Sequence, residues 1–333
     1  MSEKQSSRPE TGIERYFFRA SAADLEKIPG HPVAYWASSR IRELFGSGES
    51  LEDITISDGQ NITANNEKYL RLFWEVNSRN VGVKEKWFFY AKGGDFRKWW
   101  GNLDYVVDWT PAARDFYKAN SSARIIPEYL WYKKGVTWTL LSSGKTGFRV
   151  LPCDATFDKT GSSVFFSDES DFEFVLSLLC SNVSTFLLNT FSSTIAYQIK
   201  EIRRIPLTKN YKKIDVLSIV NGAIAISEFD WNSGETSWDF TSLPLLHSNL
   251  RQPTLKVSYQ MLRSHWREMT LEMQRLEEEN NRIFIAAYVS HPGRSYGRLW
   301  NSCGWDWCHS FMACSGVLLL SADWGSWWLY KAT

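Results

Sequence analysis

The chain has 333 residues, of which 44% are hydrophobic and 23% are charged, and its 38 Lys and Arg residues nearly balance 37 Asp and Glu residues. This length and composition exclude a mini-protein and a mainly disordered chain, and they allow about two domains of roughly 150 residues each. The formal net charge of +1 excludes a general attraction to nucleic acid, so a basic surface has to come from local clustering.

The first elements along the chain are predicted from changes in composition. Residues 1–16 are polar and predict a disordered leader. Residues 33–45 show helical spacing after the Pro29-Gly30 turn, which predicts a loop followed by a short helix. Between Tyr69 and Phe166, short aromatic and β-branched runs alternate with Gly, Asn and Asp clusters. This alternation is typical of strands and turns, so we expect a mainly β block.

Two elements are predicted after the β block. Residues 171–191 carry apolar side chains along one side and few charges, which predicts a single, largely buried helix that backs the sheet. The segment 194–207 alternates apolar and polar residues before Pro206, which predicts an edge strand. Its basic residues are expected near the surface: Lys200, Arg203 and Arg204.

The clearest periodicity lies between Leu255 and Ile283, where seam residues recur alternately four and three positions apart. The seam comprises Leu255, Tyr259, Leu262, Trp266, Met269, Met273, Leu276, Asn280 and Ile283. Such a heptad pattern predicts a long helix that needs a helical partner, with residues 277–279 outside the seam. Asn280 either sets the register of this helix or is merely tolerated on the seam.

The Trp/Cys-rich tail, residues 286–333, differs from the rest and shows neither helical nor strand periodicity. It is either a sticky aromatic appendage or, as we favour, not an evolved continuation of the chain, for instance an out-of-frame extension. Truncation after Ile285 is then expected to leave the unfolding of the preceding residues unchanged. Cys303, Cys308, His309 and Cys314 match no standard metal-site spacing, so no metal is predicted.

The cellular compartment is predicted from cysteine usage and hydropathy. The five Cys include no Cys-x-x-Cys pair, which favours a reducing compartment over a disulfide framework. The sequence has no apolar run of signal-peptide or membrane-spanning length. We therefore expect a cytoplasmic protein with no membrane partner.

Basic residues cluster more than the net charge suggests. Between Lys84 and Arg149 there are twelve basic residues against six acidic ones, and residues 200–213 form a second basic cluster. Interleaved Trp residues, with Asn102 and Gln198 available for base edges, are typical of a DNA-facing surface. A solvated sheet edge with Trp residues in the core has the same composition, so both interpretations stay open at this point.

Several short sequence segments (here called phrases), which follow one another along the chain, support the interpretation as a DNA-facing surface. They are FFRAS at 17–21, IPGHPVAYW at 28–36, KGGDFRKWWGN at 92–102, GVTW at 135–138 with SSG at 142–144, FDKTG at 157–161, ETSWDF at 235–240 and EEENNRIFI at 277–285. Together they resemble the target-recognition half of large restriction and phage-defence adenine methyltransferases, most closely the PglX proteins of BREX systems.

The resemblance implies an α+β fold with two parts. A mixed, mainly β DNA target-recognition domain with a backing helix is expected at 17–250, and a long heptad-bearing helical spacer at 251–285. In that family the catalytic domain precedes these phrases, so the chain is expected to be a fragment without it. The spacer is expected to contact that missing domain and other phage-defence subunits.

In the family, the intact enzyme recognises a short asymmetric site in double-stranded DNA, flips one adenine and methylates it from S-adenosylmethionine. The methyl-donor loop of Phe-x-Gly-x-Gly type is absent from this sequence, and so is the catalytic Pro-Pro tetrapeptide, since the chain contains no Pro-Pro dipeptide. We therefore expect no cofactor, no catalytic residue and no methyl transfer in this chain alone.

DNA contacts are expected from basic and amide side chains in these segments, with basic residues on phosphates. The expected DNA-binding residues are Lys92, Arg97, Lys98, Asn102, Ser142, Ser143, Lys145, Arg149, Gln198, Lys200, Arg203 and Arg204. Substituting Ala for Arg97, Lys98 or Lys145 is expected to weaken binding and to flatten its salt dependence. The alternatives are a scaffold that dimerises through the heptads and, less favoured, a carbohydrate-binding module.

Overall fold

The computed structural model describes residues 21–34, 37–142, 146–192 and 196–288. The expected leader at 1–16 and residues 289–333 of the Trp/Cys-rich tail lie outside these ranges, as do Ser143 and Lys145.

Within the described ranges, eight short strands form two four-stranded sheets. The strands are β1 Thr55–Ile56, β2 Leu70–Leu72, β3 Trp87–Ala91, β4 Tyr105–Asp108, β5 Gly135–Trp138, β6 Phe148–Leu151, β7 Ala155–Phe157 and β8 Ser163–Phe166. Sheet A has the order β1-β8-β5-β6 and is antiparallel throughout. Sheet B has the order β2-β4-β3-β7, in which β3 and β7 are parallel. The predicted β block is confirmed.

Helices account for most of the remaining regular structure. They are α1 Ala22–Leu25, α2 Ser39–Gly46, α3 Leu51–Ile54, α4 Asn66–Tyr69, α5 Pro111–Ala119, α6 Phe172–Leu179, α7 Asn182–Phe191, α8 Ile199–Arg203, α9 Leu217–Asn232 and α10 Leu255–Tyr288. The α+β fold class is therefore confirmed. The short helix predicted near residue 45 is α2, which begins after the N-cap Ser38.

The two sheets pack face to face, and helices cover both outer faces. Side chains alternate along a strand, so in β8 Phe165 lies between the sheets while Val164 and Phe166 face α6, α7, α9 and α10. In β3, Phe89 lies between the sheets, whereas Phe88 packs with α5 on the outer face of sheet B. The resulting order of layers is helices, sheet A, sheet B and α5.

Most tryptophans in the described part of the chain are buried or pack against the core. Trp99 and Trp138 are 0% exposed, and Trp109 is 3% exposed. The indole nitrogen of Trp138 donates a 2.7 Å hydrogen bond to the carbonyl oxygen of Tyr197, so its polar atom is satisfied.

The predicted buried helix over 171–191 consists of two helices. The axes of Glu169–Leu179 and Asn182–Phe191 differ by 77°. The break follows from a second N-cap, because the Ser181 hydroxyl accepts from the backbone N–H of Ser184 and ends the first helix there. Both helices back sheet A as predicted, with Leu176 and Leu187 fully buried.

The predicted edge strand at 194–207 is wrong where the structure describes it, because residues 199–203 form α8. A cap from Glu201 explains the helix: the backbone N–H of Gln198 donates to Glu201 Oε2 at 3.0 Å. The alternation of Tyr197 and Ile199 therefore spans a helix start rather than a strand.

The predicted long helix is confirmed as α10, and its helical partner is α9. The C-terminal half of the seam is buried, with Met273 at 0% and Leu276 at 4% exposure, whereas Leu255 at the N-terminal end is 71% exposed. Glu277 lies on the buried side rather than outside the seam, because it binds side chains of the loop that follows β3.

α10 continues past the predicted boundary and is described as far as Tyr288, which is 0% exposed. Its hydroxyl donates a 2.9 Å hydrogen bond to the carbonyl oxygen of Pro206. The prediction that all residues after Ile285 are dispensable stays untested, and the burial and hydrogen bond of Tyr288 argue against it.

Among the described helices, no single one is both long and apolar enough to cross a membrane. The bent pair Glu169–Leu179 and Asn182–Phe191 meets the length and composition requirements only when both are counted together. The apolar side chains of this pair belong to the core against sheet A.

Candidate nucleic-acid interface

Three loops and one short segment meet at one end of the two sheets. The β3–β4 loop (92–104) and the β7–β8 loop (158–162) follow the parallel strands β3 and β7, so both lie at the same edge. The described parts of the β5–β6 loop (139–142 and 146–147) join them because β5 runs antiparallel to β8, which begins directly after the β7–β8 loop. Together with segment 196–198, which precedes α8, we call these the loop cluster.

Direct hydrogen bonds connect the parts of the loop cluster. The Thr139 hydroxyl donates to the carbonyl oxygen of Gly94 at 3.0 Å. The N–H of Leu140 donates to Thr160 O at 2.9 Å, and Leu140 O accepts from the Tyr197 N–H at 2.9 Å. The four pieces therefore form one continuous surface, although they are far apart in sequence.

The β3–β4 loop pairs with the edge of sheet A through one isolated, parallel β-bridge between Trp99 and Arg149. Trp99 N–H donates to Phe148 O at 2.8 Å, and Val150 N–H donates to Trp99 O at 2.9 Å. This close approach requires glycine at position 147, because a Cβ there would lie 2.1 Å from the carbonyl oxygen of Arg97. Glycine at this position therefore allows the β3–β4 loop to reach β6.

Asn102, predicted to read base edges, closes the β3–β4 loop on itself. It is 6% exposed, adopts a left-handed backbone conformation with φ 61°, and donates from Nδ2 to Asp95 O at 2.8 Å. Gly94 makes room for this amide, since a Cβ at Gly94 would lie 2.9 Å from Asn102 Nδ2. The Asn102 amide thus shapes the β3–β4 loop in this conformation.

Arg149, predicted to contact phosphate, is 1% exposed and binds backbone oxygens of two loops. Its Nη2 donates to Gly93 O at 3.1 Å and its Nη1 to Gly147 O at 3.4 Å. Burial, together with the charge of Arg97, lowers the pKa of the Arg149 guanidinium to about 10. Arg149 therefore holds the β3–β4 and β5–β6 loops together from inside the protein.

Arg97 is also buried, with 8% exposure, and its partners come from α9. Its Nη1 lies 3.3 Å from Asp230 Oδ2, and its guanidinium stacks 4.6 Å from the centre of the Trp231 ring. Burial raises the pKa of the Asp230 carboxyl to about 7, and the neighbouring Arg97 charge opposes this shift.

Lys98, the next residue, binds α10. Its ammonium forms an ion pair with Glu277 Oε2, while the other carboxylate oxygen accepts a 2.6 Å hydrogen bond from Trp99 Nε1. Glu277 is only 5% exposed. Arg97 and Lys98 thus anchor the β3–β4 loop to two different helices.

Lys92 pairs with Asp158 of the β7–β8 loop, with 2.9 Å between Nζ and Oδ2. Asp158 also organises its own loop, because its Oδ1 accepts from the N–H groups of Thr160 at 2.7 Å and Gly161 at 3.1 Å. The adjacent Lys159 is exposed on the same loop, and sequence reasoning missed it as a candidate contact residue.

The predicted residues around α8 fall into two places. Gln198 and Lys200 are exposed where segment 196–198 leads into α8. Arg203 instead donates to Thr55 O at 2.9 Å and to Glu52 O at 3.1 Å, so it binds α3 and β1. Arg204 is partly buried after the last turn of α8.

The structure therefore gathers some predicted residues and separates others. Exposed Lys159, Gln198 and Lys200 lie within three residues of Thr160 or Tyr197, which both hydrogen-bond to the backbone of Leu140, and Ser142 of the β5–β6 loop is partly buried. Arg97, Lys98, Asn102 and Arg149 also belong to the loop cluster or its border, but they bind groups within the chain. Their assignment to DNA stays a prediction, as does that of Ser143 and Lys145.

The acidic partners of the loop cluster were not predicted. Asp158 has a local signal, since Asp followed by Lys-Thr-Gly favours an Asx turn. Asp230 and Glu277 have none, because they lie 133 and 179 residues from Arg97 and Lys98 along the chain. Among the described residues, no group of three or more His, Cys, Asp or Glu side chains is arranged to hold a metal ion.

Comparison with known proteins places this arrangement in a family context. No family model matches the chain. The adenine-specific methyltransferase PglX of Lacticaseibacillus casei (strain Zhang) is 32% identical over 292 residues, which is 82% of this chain. The adenine-specific methyltransferase BrxX of Escherichia coli O9:H4 (strain HS) is 29% identical over 229 residues, which is 67% of this chain. The chain is homologous to PglX and BrxX.

The matched regions cover only part of these relatives. The chain spans 24% of the length of the PglX protein and 18% of the length of the BrxX protein. The resemblance to PglX that the sequence phrases predicted is thus confirmed over most of this chain.

Proposed function

We propose that this chain recognises double-stranded DNA through the loop cluster, as part of an adenine-specific methyltransferase. Homology to PglX and BrxX, whose names state that they are adenine-specific methyltransferases, supports DNA as the substrate. The observation that carries the proposal is that exposed Lys159, Gln198 and Lys200 flank segments whose backbones are joined by hydrogen bonds through Leu140. Cationic and amide side chains on connected loops suit phosphates and base edges, respectively.

The buried ionic contacts support the proposal by making the loop cluster rigid. Arg97, Lys98 and Arg149 bind helices or backbone oxygens, so the loops are held before any ligand arrives. A preorganised surface loses less conformational entropy when it binds. In this proposal the buried basic residues fix the conformation of the loops, and the exposed residues contact DNA.

The proposal is tested by fluorescence anisotropy with a labelled duplex at several salt concentrations. Substituting Ala for Lys159 or Lys200 is expected to weaken binding and to reduce the magnitude of the salt slope by about 0.9 for each lost phosphate contact. Lys84→Ala is the matched control, because Lys84 is exposed but precedes β3 and so lies at the opposite end of that strand. Equal salt slopes in all four proteins would contradict the proposed surface.

A methyl-transfer assay distinguishes DNA recognition by this chain from catalysis. The sequence contains no Pro-Pro dipeptide and therefore no catalytic tetrapeptide of the adenine methyltransferase type. We expect the purified chain to bind duplex DNA without transferring labelled methyl groups from S-adenosylmethionine. Labelled DNA produced by the chain alone would overturn this part of the proposal.

A further inference from the structure

Two consecutive residues of the β3–β4 loop are clamped by two helices that pack on each other. Arg97 binds Asp230 of α9 and Lys98 binds Glu277 of α10. Both carboxylates are at least nine-tenths buried, with Asp230 at 4% and Glu277 at 5% exposure. The path of the β3–β4 loop is therefore tied to the position of the α9–α10 pair.

Glu277 makes the more specific of the two contacts. One carboxylate oxygen accepts from Trp99 Nε1 at 2.6 Å, and the other binds the Lys98 ammonium. Trp99 itself adopts φ 70° and bonds through its backbone to the edge of sheet A. A single side chain of α10 thus fixes two neighbouring loop residues, one cationic and one aromatic.

The position of Glu277 is itself fixed by buried amides on the same helix. Asn280 binds Ser177 of α6, with 3.0 Å between its Nδ2 and the serine carbonyl oxygen. Asn281 Oδ1 accepts from the N–H of Asn182 at the start of α7, at 2.7 Å. These contacts are directional, so a shift of α10 along its axis would break them and would move Glu277 as well.

Packing alone does not require a charged residue at this position. An ion pair removed from water gains little net stability over apolar side chains of similar volume, whereas it imposes one geometry on its partners. The paired charges at Lys98 and Glu277 therefore favour a role in fixing the conformation of the loop over a role in adding stability.

We propose that Glu277 is a positioning residue of the DNA interface: through Lys98 and Trp99 it holds the β3–β4 loop in the arrangement that binds DNA. This inference rests on the proposed function. It assigns Lys98 an internal role, so Lys98 does not contact phosphate.

The test combines three variants with two measurements. Glu277→Gln keeps an acceptor for Trp99 but removes the charge that holds Lys98, and Lys98→Met removes the ammonium. Glu278→Gln is the control, because Glu278 is the exposed neighbour on the same helix. Duplex affinity and salt slope are measured by anisotropy, and backbone amide exchange is followed over 92–104 and over β3 and β5.

Glu277→Gln is expected to weaken duplex binding by about fivefold or more, the usual range of coupling between linked sites, without changing the salt slope. The salt slope stays constant because Glu277 and Lys98 touch no phosphate. Exchange is expected to accelerate over 92–104 while β3 and β5 stay protected. Lys98→Met is expected to act in the same direction, and Glu278→Gln to match the wild type.

Two outcomes separate this inference from the proposed function. If the wild type binds DNA and Glu277→Gln binds it with the same affinity, the inference is overturned while the proposed function stands. A salt slope reduced by about one counterion in Lys98→Met would also overturn only the inference. A wild-type chain without salt-dependent DNA binding would overturn the proposed function. If Glu277→Gln unfolds, the double variant Lys98→Met with Glu277→Gln leaves neither charge unpaired, and wild-type affinity in it would likewise overturn the inference.

Discussion

Asn280 and Ser177 hydrogen-bond to each other in both directions inside the core. Asn280 Nδ2 donates to Ser177 O at 3.0 Å, and the Ser177 hydroxyl donates to Asn280 Oδ1. Both residues are 0% exposed. Because neighbouring seam residues such as Met273 and Leu276 are apolar, the amide finds its partner in one register only. The contact favours the interpretation that Asn280 sets the register of α10 over the alternative that it is merely tolerated.

Asn280→Ala is expected to lower the free energy of unfolding by about 2–3 kcal/mol, because it removes two buried hydrogen bonds and leaves groups of Ser177 unsatisfied. Urea denaturation followed by circular dichroism measures the change. Arg282→Ala is the control on the same helix: its pair with Glu279 is exposed, so its loss is expected to cost less than about 0.5 kcal/mol. Equal costs for the two variants would argue against a register-setting contact.

Stability is expected to depend on pH through Asp230. Burial raises the pKa of this carboxyl from 3.8 to about 7, so the folded state binds the proton more tightly than the unfolded state. The resulting stabilisation is complete below about pH 4 and is lost as the pH rises through 7. Wild type should therefore lose stability relative to Asp230→Asn between pH 5 and pH 8, as measured by urea denaturation at both values.

The control for this titration is Asp115→Asn, since Asp115 is exposed on α5. The difference in unfolding free energy between this variant and the wild type is expected to stay constant between the same two pH values. A constant difference for Asp230→Asn as well would show that the Asp230 carboxyl does not titrate in this range.

The two described cysteines are expected to differ in reactivity. Cys180 is 4% exposed, and burial raises the pKa of its thiol to about 12. Cys153 is exposed. Iodoacetamide at pH 8 should therefore modify Cys153 in the folded protein and Cys180 only after denaturation, as read by peptide mass mapping. Rapid modification of Cys180 in the native protein would contradict the packing of α6 against β6.

Patterns that repeat over many residues predicted the fold well. The β block and α10 follow from strand alternation and heptad spacing, each of which is a local property of the sequence. The break at Ser181 and the start of α8, where Glu201 accepts from the Gln198 N–H, depend on single capping side chains, whose signals are weaker than the apolar patterns around them. Apolar periodicity therefore indicated the wrong element at 199–203 and missed the break in the buried helix.

The candidate site was predicted less completely than the fold. Basic residues of the KGGDFRKWWGN phrase suggested a DNA-facing surface, yet Arg97 and Lys98 bind Asp230 and Glu277 in the folded chain. These partners are distant in sequence, so the amino-acid composition around residue 97 cannot predict them. Local charge thus indicated a loop that belongs to the loop cluster, whereas exposure within the loop depends on tertiary contacts.

The last described residue of α10 provides the last prediction. Tyr288 is 0% exposed and its hydroxyl donates to Pro206 O at 2.9 Å, so its ring completes the core against the segment that follows α8. A chain truncated after Ile285 is expected to be about 3 kcal/mol less stable than one truncated after Tyr288, the usual cost of losing a buried aromatic ring. Both chains lack residues 289–333, so their comparison isolates the contribution of residues 286–288.

Thermal unfolding of the two truncated chains measures this difference, which we expect to appear as a melting temperature lower by several degrees for the shorter chain. Tyr288→Phe in the longer chain separates the two contributions of the side chain. It keeps the ring but removes the hydrogen bond to Pro206, so it should cost only about 1 kcal/mol. Equal melting temperatures for the two truncated chains would show that α10 functions without Tyr288 and would restore Ile285 as the boundary. A loss in Tyr288→Phe as large as that of the shorter chain would instead assign the effect to the hydroxyl group rather than to the buried ring.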